Sequence, residues 1–440
     1  MQLKTLPRGL AIFGAGSLLL ATTGVVPADD YEQEPIAYSQ TPASDPIAGW
    51  PERLRAKTLE LDTTGEKAFV ASVLDALDIP QSSQVLVYSK TSFQNNHISP
   101  TRPRAIYFSP DYYVGWVQGG DIELISIDPD LGPIFYRLST PRFRASDANW
   151  APELIRSRDC LNCHGSGRTG GTPGMLVRSV KSDISGFPIL SAGSHVTRPQ
   201  SPLAERWGGW YVTGRSDGVR HQGNLIFAAD DTGASPAVDL GGRLRSLAEV
   251  VDMRPYLQDT SDIVALMTME HQIAVHNQIT ATRYAARMAR HRTLRLAEAL
   301  GEPEPEGLSE TNERLVDAAV DRLLDVMLSR GEFVLEGWGV DGSASFQQSV
   351  QNWAPSTADG RSLVEFDLAS RLFKHRLSYM VYSTSFDDLE VETRRKFYAR
   401  LRQALQGELS RFDYLPIQER SAIWTILRET KPEFLETGAL

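Results

Sequence analysis

The apolar residues of this 440-residue chain change their period once, near residue 245, and this change constrains the fold more than any other feature. Before it, short runs of β-branched and aromatic residues are broken by Pro, Gly and Asp, which is the pattern of β-strands. The predicted strands lie within 84–91, 104–118, 122–128 and 133–139, and similar runs resume after residue 175. Their spacing predicts an antiparallel sheet or sandwich.

Beyond residue 245 the apolar residues recur every three or four positions, which predicts amphipathic helices. The predicted helices cover 261–300, 310–331, 368–383, 390–409 and 416–430. The whole pattern predicts an α+β fold, in which a β-rich region at 83–244 precedes a helical domain at 245–440.

The first 28 residues have the layout of a secretory signal peptide. Lys4 and Arg8 precede an apolar stretch over 9–26, and small residues lead to a cleavage point after Ala28. We therefore expect an exported, periplasmic protein, with an uncleaved N-terminal anchor as the alternative. No later run is long and apolar enough to span a bilayer, so no transmembrane span is expected in the mature chain.

The segment after the signal peptide, residues 29–82, is expected to form a linker and a short helix. Its first half is polar and contains proline, and the pattern turns amphipathic over 66–77. The net charge of −10 argues against a nucleic-acid partner, because the phosphate backbone repels an acidic chain. The sequence does not define the oligomeric state.

Both cysteines of the chain stand in the stretch CLNCH, with a histidine directly after the second. The spacing Cys-x-x-Cys-His is the attachment signal of a c-type haem. Cys160 and Cys163 would each form a thioether to a haem vinyl group, and His164 would give an imidazole nitrogen to the iron. One motif within 150–180 predicts one covalently attached haem c. The residues that lead into it, from Trp150 on, have helical spacing and predict a helix.

Other interpretations of these residues fit the sequence less well. A structural zinc site needs four ligands, and the chain has no further cysteine. A thioredoxin-like oxidoreductase would need a βαβ unit, and none is indicated before Cys160. A structural disulfide across so short a loop would add little stability, because its effect grows with loop length. A second metal at His271 and His276 is disfavoured, because five helical residues place them on different faces.

The sequence leaves the sixth iron ligand open. Met175 follows the glycine-rich loop 165–174, which could fold back over the haem, and a methionine ligand would favour electron transfer. A core methionine at the start of a strand is the competing interpretation. His221 and His195 are weaker candidates, because both lie in polar, glycine-containing loops where histidines are often solvated. A vacant sixth position is the remaining alternative.

Aromatic and basic residues near the motif are candidates for the surroundings of a haem. Trp207 and Trp210 flank a glycine pair before a predicted strand, and such side chains could wall a haem or simply pack in the core. Three arginines lie close enough in sequence to pair with haem propionates, and nothing in the sequence selects among them. They are Arg168, Arg178 and Arg206.

Stretches along most of the chain resemble a family of uncharacterised bacterial exported monohaem proteins described as cytochrome c domain-containing. The resembling stretches include VLVYSKTSFQ, PRAIYFSPDYYVGWVQGG, CLNCHGSGRTGGTPGMLVRSV, RWGGWYVTG and RLFKHRLSYMVYS, and the resemblance extends from residue 84 to residue 434. The resemblance implies haem carriage by Cys160, Cys163 and His164, and it implies no particular reaction.

The function expected from these features is that of a periplasmic monohaem c-type cytochrome, which transfers electrons to or from a redox partner protein. The chain is much longer than a minimal cytochrome, so its β-rich and helical parts could also wall a substrate pocket. A haem enzyme with an open sixth iron position, peroxidase-like or acting on a small substrate, is therefore the alternative. A haem-based sensor of a diatomic gas is a third interpretation, from a different class of function.

Overall fold

The computed structural model describes residues 30–141, 150–216, 218, 220–228, 235–337 and 339–436. The signal peptide predicted for residues 1–28 lies outside the described residues. Within the described ranges, no helix combines the length and the apolar character that a membrane crossing needs. The assigned strands end at residue 239 and the long helices begin at residue 263, so the predicted α+β class, with a β-rich region before a helical one, is confirmed.

The strands concentrate in the β-rich region, and most belong to one antiparallel sheet. They are β1 Val85–Val87, β2 Arg104–Phe108, β3 Tyr112–Trp116, β4 Ile122–Asp128, β5 Gly132–Leu138, β6 Leu154–Arg156, β7 Val177–Ser179, β8 Ser182–Asp183, β9 His195–Thr197, β10 Trp210–Tyr211, β11 Leu225–Phe227 and β12 Val238–Asp239. Seven of them form the main sheet in the order β10-β1-β2-β3-β4-β5-β6. The predicted run 122–128 coincides with β4.

The segment that carries the cysteine motif joins the two edges of this sheet. β6 forms one edge and ends at Arg156, whereas β10 forms the other edge and begins at Trp210. The chain between them, residues 157–209, therefore passes over one face of the sheet, and we call it the crossing segment. Two of its strands, β7 and β9, pair with each other.

Successive side chains of the sheet strands are buried on opposite faces, as the period of a strand requires. Val87 and Phe108 contribute to a core that includes the crossing segment and the C-terminal helices. Leu86 and Tyr107 belong to a second core, which Trp50 and other N-terminal residues complete. Because both faces are covered, the strands appear in the sequence as nearly continuous apolar runs.

The β-rich and helical regions share one hydrophobic core. Strand residues such as Val85 and helix residues such as Leu266 and Leu323 belong to one connected cluster of buried side chains. The β-rich and helical regions therefore stabilise each other through shared apolar burial.

Among the helices of the described residues, the longest has 38 residues and packs against the sheet. The helices are α1 Trp50–Arg55, α2 Glu66–Ala76, α3 Leu161–His164, α4 Ile263–Leu300, α5 Glu310–Met327, α6 Ala344–Val350, α7 Thr384–Asp387, α8 Val391–Gln406 and α9 Ile417–Thr430. The long helix α4 begins after Asp262, whose carboxylate accepts hydrogen bonds from the first free N–H groups. It ends at Gly301, which adopts the left-handed conformation that glycine favours.

Buried polar contacts fix α4 against the sheet and the crossing segment. Arg206 Nη1 donates to Glu270 Oε2 at 2.8 Å, and Trp207 Nε1 donates to Glu270 Oε1 at 2.6 Å. Two residues further along the helix, Gln272 Nε2 donates to the Tyr113 hydroxyl at 2.7 Å. Burial raises the pKa of Glu270, and Arg206 opposes that rise. These contacts set both the position and the rotation of α4.

The helix predicted over 368–383 is wrong, since the structure forms only a short 3-10 turn there, at Tyr379–Tyr382. Leu368 has a φ of +59°, in the left-handed region that a non-glycine helix residue avoids. The Lys374 N–H donates to the Glu365 carbonyl at 2.8 Å, so the chain turns back on itself. Its apolar residues are buried against the shared core rather than along one face of a helix.

The helix predicted from Trp150 into the cysteine motif is also mostly absent from the described structure. Residues Leu154–Arg156 form the edge strand β6 and pair with Tyr136, Arg137 and Leu138 of β5. The hydrogen bonds of an open sheet edge outweigh the local helical spacing here, which is the usual tertiary override of a short pattern. Helical structure begins only at Leu161.

Replacement of Arg206 by methionine should lower the free energy of unfolding by about 3–5 kcal/mol, because Glu270 would lose its buried partner. The ion pair between Arg245 and Asp341 is exposed, so Arg245→Met should change the same quantity by less than about 1 kcal/mol. Urea unfolding followed by circular dichroism measures both. Equal effects for the two variants would contradict the role given to the Glu270 contacts.

Candidate functional site

The cysteine motif forms a single helical turn at the start of the crossing segment. Cys160 caps the turn, and its carbonyl accepts a hydrogen bond from the His164 N–H at 2.9 Å. Residues three and four apart on a helix share one face, so the turn presents Cys160, Cys163 and His164 to the same side. Cys160 is half-buried, Cys163 is exposed, and the two thiols are not joined by a disulfide.

The glycine-rich loop 165–174 returns to the histidine from which it starts. Gly174 N–H donates to the His164 carbonyl at 2.8 Å, and Gly174 O lies 2.8 Å from His164 Nδ1. Gly170 and Gly171 both have a φ of +78°, which the reversal of the chain requires and which glycine adopts without strain. The loop therefore closes on the imidazole and fixes its orientation.

The hydrogen bond to Gly174 also fixes which nitrogen of His164 is free. A carbonyl oxygen only accepts, so Nδ1 carries the hydrogen and Nε2 keeps its lone pair. Burial lowers the pKa of His164, which favours the neutral form of the imidazole. Its ring lies against Phe135, with 4.9 Å between ring centroids. This is the state of a histidine that can ligate a metal through Nε2.

Helix α4 holds the end of the loop in place. Asn277 Oδ1 accepts a hydrogen bond from the Met175 N–H at 2.8 Å, and Asn277 Nδ2 donates to the Met175 carbonyl at 2.7 Å. A Cβ at Gly174 would lie 2.7 Å from Asn277 Oδ1, so only glycine permits this close approach. The histidine, the loop and α4 are thus connected by consecutive short contacts.

A cavity of about 320 Å³ opens beside the motif, between the sheet, the crossing segment and α4. Cys160, Cys163 and His164 all line it. Its apolar wall is contributed by Val87, Ile106, Tyr113, Ile125, Phe135, Val177, Trp210, Met269 and Ile273. A largely apolar cleft with a few converging polar groups is the usual form of a cofactor site.

Three arginines bring positive charge to this cavity. Arg104 lies across Gly115 and forms an ion pair with Glu123, and a side chain at Gly115 would overlap the guanidinium. Arg168 and Arg178 also line the cavity. The Nε atoms of Arg104 and Arg178 are buried without a hydrogen-bond partner among the described residues. Such unpaired donors are costly, and the net positive charge of the three arginines favours an anionic group in the cavity.

The structure brings several of the predicted residues together and leaves one arginine outside. Met175, Arg178 and Trp210 line the cavity with the motif, and Met175 is only 2% exposed. Arg206 is not among the residues that line it, and its guanidinium is already bonded to Glu270 and to the Ser201 and Pro199 carbonyls. Trp207, which donates to Glu270, packs behind the cavity wall rather than in it.

The two histidines proposed as weaker iron ligands do not line the cavity. His221 is buried against Trp207, with 5.3 Å between ring centroids, and burial lowers its pKa to about 4. His195 Nε2 lies 2.8 Å from Ser201 Oγ, and its other ring nitrogen faces Glu205 at 3.5 Å. Of the sulfur and imidazole candidates named from the sequence, only Met175 lines this cavity beside His164.

His271 and His276 lie in the shared core and contact different neighbours. His271 Nε2 lies 2.8 Å from Ser378 Oγ, whereas His276 Nε2 lies 2.8 Å from the Pro110 carbonyl. Burial lowers the pKa of each, to about 4 and about 3, so both are neutral. In the part of the chain that the structure describes, no cluster of three or more His, Cys, Asp or Glu side chains forms a metal site.

Sequence reasoning missed four residues that the fold brings to the site. Arg104 and Glu123 are nineteen positions apart and meet only because β2, β3 and β4 are neighbours in the sheet. Asn277 and Met269 lie on α4, more than ninety positions after the motif. Their one sequence signal is helical spacing, since residues 269, 273 and 277 lie on the same face of α4.

Comparisons with protein-family models, with curated proteins and with solved structures found no match for this chain. The resemblance to cytochrome c domain-containing proteins therefore stays an expectation from the sequence. The geometry and charge of the cavity are the remaining grounds for a function.

Asn277→Leu should lower the free energy of unfolding by about 1–3 kcal/mol, because the Met175 N–H and carbonyl would both lose their partner. Hydrogen exchange at the Met175 amide should become faster for the same reason. The neighbouring Gln278 makes only a 3.5 Å contact with Thr282, so Gln278→Leu is a matched control with little expected effect. Unchanged exchange at Met175 in Asn277→Leu would show that α4 does not hold the loop.

Proposed function

We propose that this protein is a periplasmic monohaem c-type cytochrome, which carries one covalently attached haem and transfers electrons to or from a redox partner protein. Cys160 and Cys163 supply the two thioether links, each by addition of its S–H to a vinyl group. His164 supplies an imidazole nitrogen to the iron. A haem held in this way provides one-electron chemistry at its iron.

The observation that carries the proposal is the hydrogen bond from His164 Nδ1 to Gly174 O, together with the cavity beside it. Histidines that ligate metals almost always donate their other ring N–H to an oxygen, which fixes the tautomer and the ring orientation. Here Nδ1 of His164 donates to Gly174 O, burial favours the neutral imidazole, and the two thiols of the motif line the same cavity. A structural zinc site or a disulfide would require none of this space.

The lining of the cavity also suits the apolar ring and the negative charge of a haem. Apolar side chains from the sheet and from α4 exclude water from the interior, which tunes the potential of a bound iron centre. Arg104, Arg168 and Arg178 line the cavity, and their positive charge suits the carboxylates of the haem propionates. Cys163 is exposed, so one edge of the proposed haem would remain near the surface, where a partner protein can approach.

Cysteine variants test whether Cys160 and Cys163 attach the haem. They are expressed with residues 1–28 in a bacterium that attaches c-type haem in its periplasm. The unaltered protein should retain haem after denaturation and acid–acetone extraction, because thioethers survive both. The double variant Cys160→Ser, Cys163→Ser should retain none. Absorbance of the pyridine complex of the haem in the denatured chain measures the difference.

One of the two residues between the cysteines, Asn162, offers a matched control. Asn162 is exposed and is not part of the Cys-x-x-Cys-His signature, so Asn162→Ala should retain covalent haem at the unaltered level. Absence of haem from the unaltered protein, under conditions where another c-type cytochrome matures, would refute the proposed function. Covalent haem in the double serine variant would refute the assigned attachment.

The ion pair between Arg104 and Glu123 predicts opposite changes in midpoint potential. Arg104→Gln removes a positive charge that favours the reduced form, so the potential should fall by tens of millivolts. Glu123→Gln removes the neighbouring negative charge, so the potential should rise. Spectroelectrochemical titration of each purified protein measures the midpoint potential.

An arginine outside the cavity serves as the control for this titration. Arg158 is exposed and donates to the Ser39 carbonyl, so Arg158→Gln should leave the potential nearly unchanged. Shifts of the same sign for Arg104→Gln and Glu123→Gln would contradict an electrostatic effect of this pair on the proposed haem.

A further inference from the structure

Two methionines line the cavity, Met175 in the crossing segment and Met269 on α4, and they differ in their position relative to His164. Met175 directly follows Gly174, whose carbonyl accepts the hydrogen bond from His164 Nδ1. Its own backbone is fixed by both hydrogen bonds to Asn277. Met175 therefore starts on the Nδ1 side of the imidazole, away from the Nε2 atom that would bind iron.

Bond lengths limit how far the Met175 sulfur extends from this starting point. A methionine sulfur reaches at most about 7 Å from the carbonyl oxygen of the preceding residue. The position opposite an imidazole across a metal lies roughly 9 Å from an acceptor bonded to the other ring nitrogen, given metal–ligand bonds of about 2 Å. Met175 falls short of that position by about 2 Å as long as His164 stays bonded to Gly174.

Met269 lines the same cavity from α4. It precedes Asn277 by eight residues, or roughly 12 Å along the helix axis. Asn277 contacts the chain at Gly174 and Met175, where the loop is bonded to His164, so Met269 extends from a part of α4 well removed from that contact. The Met269 side chain is 2% exposed and, with Ile273, forms the part of the wall that α4 contributes.

The rotation of α4 is fixed on either side of Met269. Glu270 is bonded to Arg206 and Trp207, and Gln272 is bonded to Tyr113 and to the Ser109 carbonyl. These contacts hold Met269 toward the cavity. A thioether there has no competing role in hydrogen bonding, and it is a soft ligand that suits haem iron.

We propose that Met269, and not Met175, is the sixth ligand to the iron, opposite His164. This inference rests on the proposed function, because it requires a haem attached at Cys160 and Cys163. Methionine at this position raises the reduction potential and closes the iron to small molecules. It thereby favours electron transfer over a haem enzyme with an open sixth position.

Leucine substitutions at three buried methionines test the assignment on the protein with its haem attached. Met269→Leu should lose the methionine–iron charge-transfer band of the ferric spectrum and should bind carbon monoxide when reduced. Met175→Leu should keep the band and exclude carbon monoxide. Met267 lies on the same helix, is 6% exposed and does not line the cavity, so Met267→Leu is the matched control and should behave like the unaltered protein.

A fourth variant guards against a merely structural effect. Met269→His places another ligating group at the same position, so low-spin iron without the methionine band and without carbon monoxide binding is expected. High-spin iron in this variant would count against the assignment. So would loss of the band in Met175→Leu with its retention in Met269→Leu.

Two results for the unaltered protein separate this inference from the proposed function. Covalent haem with high-spin iron that binds carbon monoxide would overturn the Met269 assignment and leave haem carriage standing. Absence of covalent haem would overturn both. Haem content is therefore measured before any spectrum is interpreted.

Discussion

The buried contacts of Glu270 with Arg206 and Trp207 hold α4 against the crossing segment, and the architecture of the cavity depends on them. A carboxylate in the core is costly unless it is fully paired, and here the guanidinium of Arg206 and the indole of Trp207 each donate a hydrogen bond to one of its two oxygens. Because these partners lie just before β10, they tie the helix to the sheet edge as well. These contacts fix the rotation of α4, so the face that carries Met269 is directed at the cavity.

The crossing segment turns a short sequence motif into a defined site. It leaves the sheet at β6 and re-enters it at β10 on the opposite edge, so both of its ends are hydrogen-bonded strands. Two hydrogen bonds then hold the loop after His164. Gly174 O is bonded to the His164 imidazole, and Asn277 is bonded to the next residue, Met175. Ligands supported in this way keep their geometry better than ligands on a free loop.

Local patterns predicted the features whose causes are local. Strand β4 and helix α4 have strong periods, so the sequence predicted both of them. The residues near Leu154 were misjudged because sheet pairing with β5, which no local window contains, decided their conformation. Arg104 and Glu123 were missed for the same reason, since their contact depends on strand order. Which methionine could reach an iron bound to His164 depends on the hydrogen bond from His164 to Gly174. The spacing of residues in the sequence does not reveal that bond.

The charge of the cavity differs from that of the chain. The whole sequence has a net charge of −10, yet Arg104, Arg168 and Arg178 meet only Glu123 and Asp159 among the acidic residues that line the cavity. Positive charge is therefore concentrated at the cavity although the chain as a whole is acidic. Glu123 offsets part of the positive charge close to Cys160. In the proposed cytochrome, the opposite charges of Arg104 and Glu123 would therefore set the potential of the haem without a change of iron ligand.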